Sequence, residues 1–101
     1  MSGSCCQGVD EVFGEKTAQR DLRRYRERGP SRQTRVLLDA IRGQGVERAT
    51  VLDIGGGVGA IQHELLAAGA ARATAVDAST AYLRAARGEA ERRGTAAASK
   101  A

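Results

Sequence analysis

Two carboxylates flank a glycine-rich segment near the middle of this chain of 101 residues. Asp53 ends one apolar run, and Asp77 ends the next. The glycines of the segment are Gly55, Gly56, Gly57 and Gly59. Glycine allows sharp turns with positive φ and lets a ligand approach the backbone where a Cβ would block it. A carboxylate after the following strand can accept hydrogen bonds from two ribose hydroxyls, so the pattern predicts a nucleoside-binding site.

The charge of Asp53 discriminates between two nucleoside ligands. The spacing Gly55-x-Gly57-x-x-Ala60 satisfies a loose dinucleotide fingerprint, so the glycines alone leave NAD open. Asp53 precedes the first glycine and stands at the predicted mouth of the site, where it repels a pyrophosphate and attracts an ammonium group. S-adenosylmethionine (SAM) carries an ammonium group and no phosphate. The electrostatics therefore favour SAM as the cofactor.

Two segments of the chain resemble a known enzyme family. Residues 51–59, Val-Leu-Asp-Ile-Gly-Gly-Gly-Val-Gly, resemble the first motif of class I SAM-dependent methyltransferases, an acidic residue followed by G-x-G-x-G. Residues 76–79, Val-Asp-Ala-Ser, resemble the second motif of that family. Residues 15–42 are similar to the cap helices that many of these enzymes carry before the first strand. The resemblance implies a Rossmann-like fold and methyl transfer from SAM.

The same resemblance implies a role for each residue of the site. Asp53 would serve the methionyl amino group of SAM, directly or through water. The backbone at Gly55 and Gly57 would pass beneath the methionyl and ribose parts. Asp77 would bind the ribose hydroxyls, and Ala78 would pack near the adenine.

Composition and hydrophobic periodicity divide the chain into four segments. They are a disordered N-terminus over residues 1–13, a basic helical cap over 14–45, a βαβα SAM-binding half-domain over 46–94, and a flexible tail without a strand signal over 95–101. In the cap, the apolar stripe of the first helix consists of Ala18, Leu22 and Tyr25. Ser31 is placed to cap a second helix. The predicted apolar face of that helix consists of Val36, Leu37, Ala40 and Ile41.

The half-domain alternates strands and helices. A strand over Thr50–Ile54 is apolar at nearly every position, so helices are expected to cover both of its faces. The helix after the glycine turn runs to about Ala68, and its periodicity directs His63 outward. A second strand follows over about Arg72–Asp77, and Ser79 is placed to cap a last helix that ends at Gly94.

The resemblance covers only the first half of a methyltransferase, because the third and fourth strands of the family's sheet have no counterpart in the sequence. We therefore expect a partial Rossmann-like α/β fold with two parallel strands and N-terminal cap helices. The missing half would carry the residues that place the methyl acceptor, so no catalytic residue is assigned, and this fragment is expected to be inactive alone. Without the fourth strand, the first strand would also lack a neighbour on one side, and this bare edge predicts self-association.

The positive charge of the chain is concentrated in its cap. The net charge is +4, yet residues 16–35 contain eight basic and two acidic residues, a local charge of +6. Such a segment is typical of a solvated helix face, and it also suits contacts to RNA, to an anionic small molecule or to the SAM carboxylate. A methyltransferase acting on a small molecule is the leading interpretation. Two alternatives stay open: an NAD(P)-binding fragment of an oxidoreductase, and a non-catalytic basic module that binds nucleic acid through residues 16–35.

Signals for export and membrane insertion are absent from the sequence. No run of about eighteen apolar residues occurs, and the N-terminus has no apolar signal core. Cys5 and Cys6 are adjacent, which disfavours a disulfide between them, and the only histidine, His63, lies too far along the chain to complete an obvious metal site. We expect a cytoplasmic protein without a membrane or metal partner and with a reduced pair of cysteines.

Overall fold

The computed structural model describes the backbone of residues 2–100 and the side chains of residues 14–100. It is an α/β fold in which four helices accompany a small parallel sheet. The helices are α1 (Ser2–Arg28), α2 (Arg32–Gly43), α3 (Ala60–Ala67) and α4 (Thr80–Arg93). The strands are β1 (Thr50–Ile54), β2 (Arg72–Val76) and β3 (Ser99–Lys100). None of the helices in this part of the chain combines the length and the apolarity needed to cross a bilayer.

The N-terminal segment is described only in part. Helix α1 begins at Ser2, well before the start near Gly14 that the periodicity predicts. The side chains of residues 1–13, including Cys5 and Cys6, lie outside the described residues. The predictions of disorder over residues 1–13 and of a reduced cysteine pair therefore stay predictions.

The helix boundaries follow local capping signals. The Ser31 side chain caps α2 and the Ser79 side chain caps α4, each accepting a hydrogen bond of 3.2 Å from the backbone N–H three residues ahead. Gly69 follows α3 with φ of +110°, and Gly94 ends α4 with φ of +77°. Left-handed glycines at these positions let the next N–H groups bond back to the last turn of the helix. The predicted caps and the predicted end of α4 are confirmed.

The site lies at the carboxyl ends of the paired strands β1 and β2. The two strands run parallel, with Thr50 opposite Arg72 and Ile54 opposite Val76. Helix α3 makes the crossover between them, as parallel strands require. Because the carboxyl ends of parallel strands meet at the same edge, the residues that follow β1 lie beside those that follow β2. The N–H of Gly55 donates to the carbonyl of Val76 over 2.7 Å and continues this pairing into the turn.

The sheet has three strands, and the prediction of two is wrong. Residues 96–100, expected within a flexible tail, form a short 3-10 helix (Ala96–Ala98) and the strand β3. Strand β3 pairs parallel with β2, with Ser99 opposite Ala73 and Lys100 opposite Thr74. A two-residue strand after an alanine run shows no period-2 alternation, so pattern reading has nothing to detect. Its place is set by pairing with β2, which is a tertiary contact.

One face of the sheet is open, which corrects the expectation that helices cover both faces of β1. Leu52 is 63% exposed, Ile54 is 71% exposed and Val76 is 49% exposed. Asp53 and Ala73 point to the opposite face, where they are 7% and 1% exposed. The described helices therefore cover a single face, and an apolar patch remains on the other.

The apolar core consists of two clusters on the covered side. The first joins α1 to α4 and comprises Ala18, Leu22, Tyr25, Val58, Ala81 and Ala85. The second joins α2 and α3 to β2 and comprises Leu38, Val46, Leu65, Leu66, Ala70 and Ala73. The predicted stripe of α1 is confirmed. The predicted face of α2 is wrong in part: Ile41 packs against the second cluster, but Leu38 is buried while Val36 and Leu37 are exposed.

A buried carboxylate fastens α1 to α4. Glu89 is 0% exposed. Its Oε1 accepts from Nε of Arg26 on α1 over 2.7 Å, and its Oε2 accepts from Nη2 of Arg92 over 2.7 Å and from Nε of Arg93 over 2.8 Å. The hydrogen bond from Arg92 is the largest cause that holds the pKa of the Glu89 carboxyl well below its usual range, and burial opposes it. Three guanidinium groups thus compensate one desolvated charge.

Replacing Glu89 by Gln tests this fastening. Glu89→Gln should lower the free energy of unfolding by about 2–4 kcal/mol, because it leaves three guanidinium groups without their shared counter-charge. The matched control is Glu91→Gln, which removes the exposed pair with Arg87 and should change stability by no more than about 0.5 kcal/mol. Urea denaturation monitored by circular dichroism measures both.

The stability of the unsubstituted chain should depend on pH differently from that of Glu89→Gln. Because the folded-state pKa of Glu89 is lowered from 4.5, its contribution is complete above the unfolded-state pKa and is lost as the pH falls toward the folded-state value. The unsubstituted chain should therefore lose more stability than Glu89→Gln when the pH is lowered from neutral into the acid range below 4.5. Equal losses in the two proteins would show that Glu89 does not fasten the helices.

The open face and free edge of β1 predict self-association. No described strand pairs with the outer edge of β1, and Leu52 and Ile54 stand on its open face. The double variant Leu52→Thr/Ile54→Thr keeps residues that favour strands and removes apolar surface, so it should shift the chain toward monomer in sedimentation velocity. Val36→Thr/Leu37→Thr, on the exposed side of α2, is the control and should not. A concentration-independent monomer for the unsubstituted chain would contradict the prediction.

Candidate functional site

The segment Gly55–Gly59 makes a sharp turn between β1 and α3. Gly55 has φ of +68°, Gly57 has +60° and Gly59 has +84°. Left-handed backbone of this kind costs little for glycine and about 1–2 kcal/mol for a residue with a Cβ. A Cβ at Gly59 would also overlap the side-chain amide of Gln62. The path of this turn therefore requires glycine at several positions at once.

Asp53 lies beneath the turn and not at its mouth, which corrects its expected position. It is 7% exposed, and its Oδ2 has no hydrogen-bond partner within the described part of the chain. Gly56 covers it so closely that a Cβ there would overlap the carboxylate. Burial raises the pKa of Asp53, the charge of Asp77 raises it further, and a hydrogen bond from the backbone of Gln62 acts in the opposite direction. Among residues 14–100, no cationic group pairs with this carboxylate as three do with Glu89.

Asp77 stands at the end of β2 and faces the same turn. Its Oδ2 accepts from the N–H of Gly57 over 3.2 Å, and its Oδ1 accepts from the N–H of Ser79 over 2.8 Å. The side chain is partly exposed, and each carboxylate oxygen can accept a further hydrogen bond. Ala78 follows it and is exposed. The structure thus brings both predicted carboxylates, the glycine turn and Ala78 together at one edge of the sheet.

A cleft of about 540 Å³ lies between the glycine turn and the junction of α1 with α2. Its size falls within the range of small-molecule sites. The residues that line it include Gly56 and Gly57 of the turn and Arg24 and Arg28 of α1. The segment predicted as a helical cap therefore does lie against the turn.

Two tyrosines shape this cleft, and their partners could not be identified from sequence spacing. The Tyr82 hydroxyl donates to Oδ2 of Asp21 over 2.6 Å, and this bond raises the pKa of Tyr82 to about 12. The Tyr25 hydroxyl donates to Oε2 of Glu64 over 2.6 Å and accepts from Nη2 of Arg93 over 2.7 Å. Each pair joins residues far apart in the chain, so neither periodicity nor motif spacing reveals it. Tyr82 thereby connects α4 to α1 across the cleft.

His63 is buried, and the prediction that it faces outward is wrong. It is 1% exposed, its ring stacks on Tyr25 with centroids 6.1 Å apart, and its Nε2 lies 3.0 Å from the carbonyl of Val58. Burial is the main cause that lowers the pKa of His63. Helix α1 covers this side of α3, which the periodicity of α3 alone does not reveal. His63 does not line the cleft itself, but it packs behind Tyr25 and Val58, which do.

Neither a protein-family model nor a curated protein sequence matches this chain. The resemblance to methyltransferases, the cofactor and the activity therefore stay predictions. Among the side chains of residues 14–100, no three metal-ligating residues are grouped closely enough to hold a metal ion. What the site can bind must be argued from the turn and its two carboxylates.

Gly56→Ala tests the close contact between the turn and Asp53. The added methyl group would overlap the buried carboxylate and should lower the free energy of unfolding by about 1–3 kcal/mol. Gly88→Ala is the matched control, because Gly88 lies in α4 and a methyl group added there would have no heavy atom within 4 Å apart from its own helix backbone and chain neighbours. This control should raise stability by about 0.5–1 kcal/mol. Similar stability for the two variants in urea denaturation would show that Asp53 is not packed against Gly56.

Proposed function

We propose that this chain binds SAM as the cofactor-binding part of a methyltransferase whose methyl acceptor is a small molecule. The observation that carries the proposal is the pair of carboxylates around the glycine turn. Asp53 is buried beneath the turn without a partner for its Oδ2 among the described residues, and Asp77 is open beside it. A ligand that is cationic at one end and carries ribose hydroxyls at the other satisfies both groups.

The environment of Asp53 favours a cation. Its raised pKa reports a carboxylate that is desolvated and lies near a second negative charge. An ammonium group above the turn would relieve this, acting through the thin cover that Gly56 provides or through a bridging water. A pyrophosphate in the same place would add negative charge above Asp53 and beside Asp77. This argues for SAM and against a dinucleotide.

Asp77 and its neighbours suit the nucleoside. The carboxylate keeps acceptor capacity after its bonds to Gly57 and Ser79, which is what a pair of vicinal hydroxyls requires. Those two bonds also fix its orientation. The small exposed side chain of Ala78 leaves room for a flat base beside it.

Methyl transfer from SAM requires few further contributions from the residues around the glycine turn. Bound SAM supplies an electrophilic methyl group on its sulfonium centre, so the contribution of the protein is to bind, to orient and to limit access of water. The glycine turn and Asp77 would orient the cofactor, and α1 with Tyr82 would cover it. Catalysis by His63 finds no support, because a base must reach the proton of the acceptor and His63 is buried against Tyr25.

Calorimetric titration with S-adenosylhomocysteine and with NADH tests the proposal. We expect binding of S-adenosylhomocysteine and none of NADH at the same concentrations. Asp77→Ala should weaken that binding about tenfold or more, because hydrogen bonds to a charged acceptor are each worth about 1.5–3 kcal/mol. Asp39→Ala, which removes an exposed carboxylate on α2, is the control and should leave the affinity unchanged.

Asp53→Asn separates binding from stability in the same titration. Removing an uncompensated buried charge should leave the fold as stable or more stable, whereas the affinity for S-adenosylhomocysteine should fall because its ammonium group loses the attracting charge. Tighter binding of NADH than of S-adenosylhomocysteine would contradict the proposal. So would equal effects of Asp77→Ala and Asp39→Ala.

A further inference from the structure

Three arginines line the cleft and have no part in the cofactor site proposed above. They are Arg24, Arg28 and Arg32. Arg24 and Arg28 are one turn apart on α1, so they share a face of that helix. Arg32 begins α2 and reaches the same wall from the other side of the Gly29-Pro30 turn.

These arginines have no counter-charge within the described residues. Other arginines of the chain pair with carboxylates, as Arg26 does with Glu89 and Arg84 does with Glu15. In the part of the chain whose side chains are described, no carboxylate lies within 4.0 Å of the guanidinium groups of the three cleft arginines. Asp21 shares their wall, but its carboxylate accepts from Tyr82 and lies 3.7 Å from Arg20. The wall therefore carries more positive than negative charge, which a bound anion would compensate.

The turn that carries these residues is held in place by a fourth arginine. Arg35 donates from Nε to the carbonyl of Pro30 and from Nη2 to the carbonyl of Arg28, each over 3.0 Å. The N–H of Gly29 donates to the carbonyl of Tyr25 over 2.7 Å and closes α1. The backbone at Arg28 and at the start of α2 is thus fixed by specific bonds. The arginine wall is attached to an ordered junction between two helices.

We propose that Arg24, Arg28 and Arg32 form an oxyanion subsite that binds a carboxylate or phosphate group of the methyl acceptor. This inference rests on the proposed function, because it assigns the cleft beside the proposed cofactor site to the second substrate. Guanidinium groups bind both oxyanions through paired hydrogen bonds. Asp53 and Asp77 do not line the cleft themselves; they contact Gly56 and Gly57 of the turn, which line it together with the arginines. A cationic cofactor is thereby drawn to the turn, and an anionic acceptor to the arginines.

The shape of the surface favours a small anion over a nucleic acid. The three arginines line a concavity of about 540 Å³ that also contains the glycine turn. A nucleic acid backbone is bound by basic groups spread along an extended surface, with an affinity that depends on the number of phosphates contacted. The volume of the cleft suits a small acceptor with one or two oxyanion groups.

Titration with citrate and with inorganic pyrophosphate tests the subsite, at constant ionic strength and with S-adenosylhomocysteine at saturation. We expect at least one anion to bind. Tighter binding of citrate indicates an acceptor with a carboxylate, and tighter binding of pyrophosphate indicates an acceptor with a phosphate. Arg24→Gln/Arg28→Gln should weaken that binding about tenfold or more. The control Arg23→Gln/Arg72→Gln makes the same change in net charge at exposed positions outside the cleft and should weaken it less than about twofold.

Several outcomes would overturn the subsite. The first is that neither anion binds, and the second is that the two double variants weaken binding equally. The third is that the anions displace S-adenosylhomocysteine, which would assign the arginines to the carboxylate of the cofactor. Binding of a single-stranded RNA much tighter than either anion, lost in Arg24→Gln/Arg28→Gln alone, would replace the small acceptor by a nucleic acid. If S-adenosylhomocysteine fails to bind while an anion still binds in its absence and only the cleft variant weakens it, the proposed cofactor is wrong and the anion site stands.

Discussion

The contact on which the described fold most depends is the bonding of Glu89 to three arginines. It joins α4 to Arg26 of α1, at a separation of 63 residues, and so decides where the cap helix lies. Around it the network continues, since Arg93 also donates to the Tyr25 hydroxyl, which donates to Glu64 of α3. Aliphatic side chains alone would hold α1 weakly here, because three of the six buried residues between α1 and α4 are alanines. Ionic and aromatic contacts supply what that small-residue core does not.

Two buried carboxylates in this chain have opposite environments. The contrast distinguishes a carboxylate that stabilises the fold from one that is proposed to bind a ligand. Glu89 is surrounded by donors, and its lowered pKa reports a charge that the fold has stabilised. Asp53 has an oxygen without a partner among the described residues, and its raised pKa reports a charge that the fold leaves uncompensated. Retaining an uncompensated charge lowers stability, and such groups are concentrated at functional sites. The first carboxylate positions α1, and the second would give the glycine turn its proposed affinity for a cation.

Sequence reasoning succeeded where the cause is local and failed where the partner is distant. The bounds of β1, the caps at Ser31 and Ser79 and the buried stripe of α1 follow from turn chemistry and periodicity, which act within a few residues. The burial of His63 and the pairing of β3 depend on elements that are remote in the chain. The site divides in the same way. Its glycines and carboxylates form a motif that the sequence displays, whereas the burial of Asp53 under Gly56 and the bond from Tyr82 to Asp21 required the fold.

The alternation of side chains along β1 also limits which insertions and deletions near this strand the fold can accept. Asp53 points under the turn, while Leu52 and Ile54 point to the open face. A deletion or insertion of one residue that shifted β1 within the sheet would exchange these faces, placing leucine and isoleucine under the glycines and the carboxylate on the open side. The connection before β1 can therefore vary in length only if the loop absorbs the change.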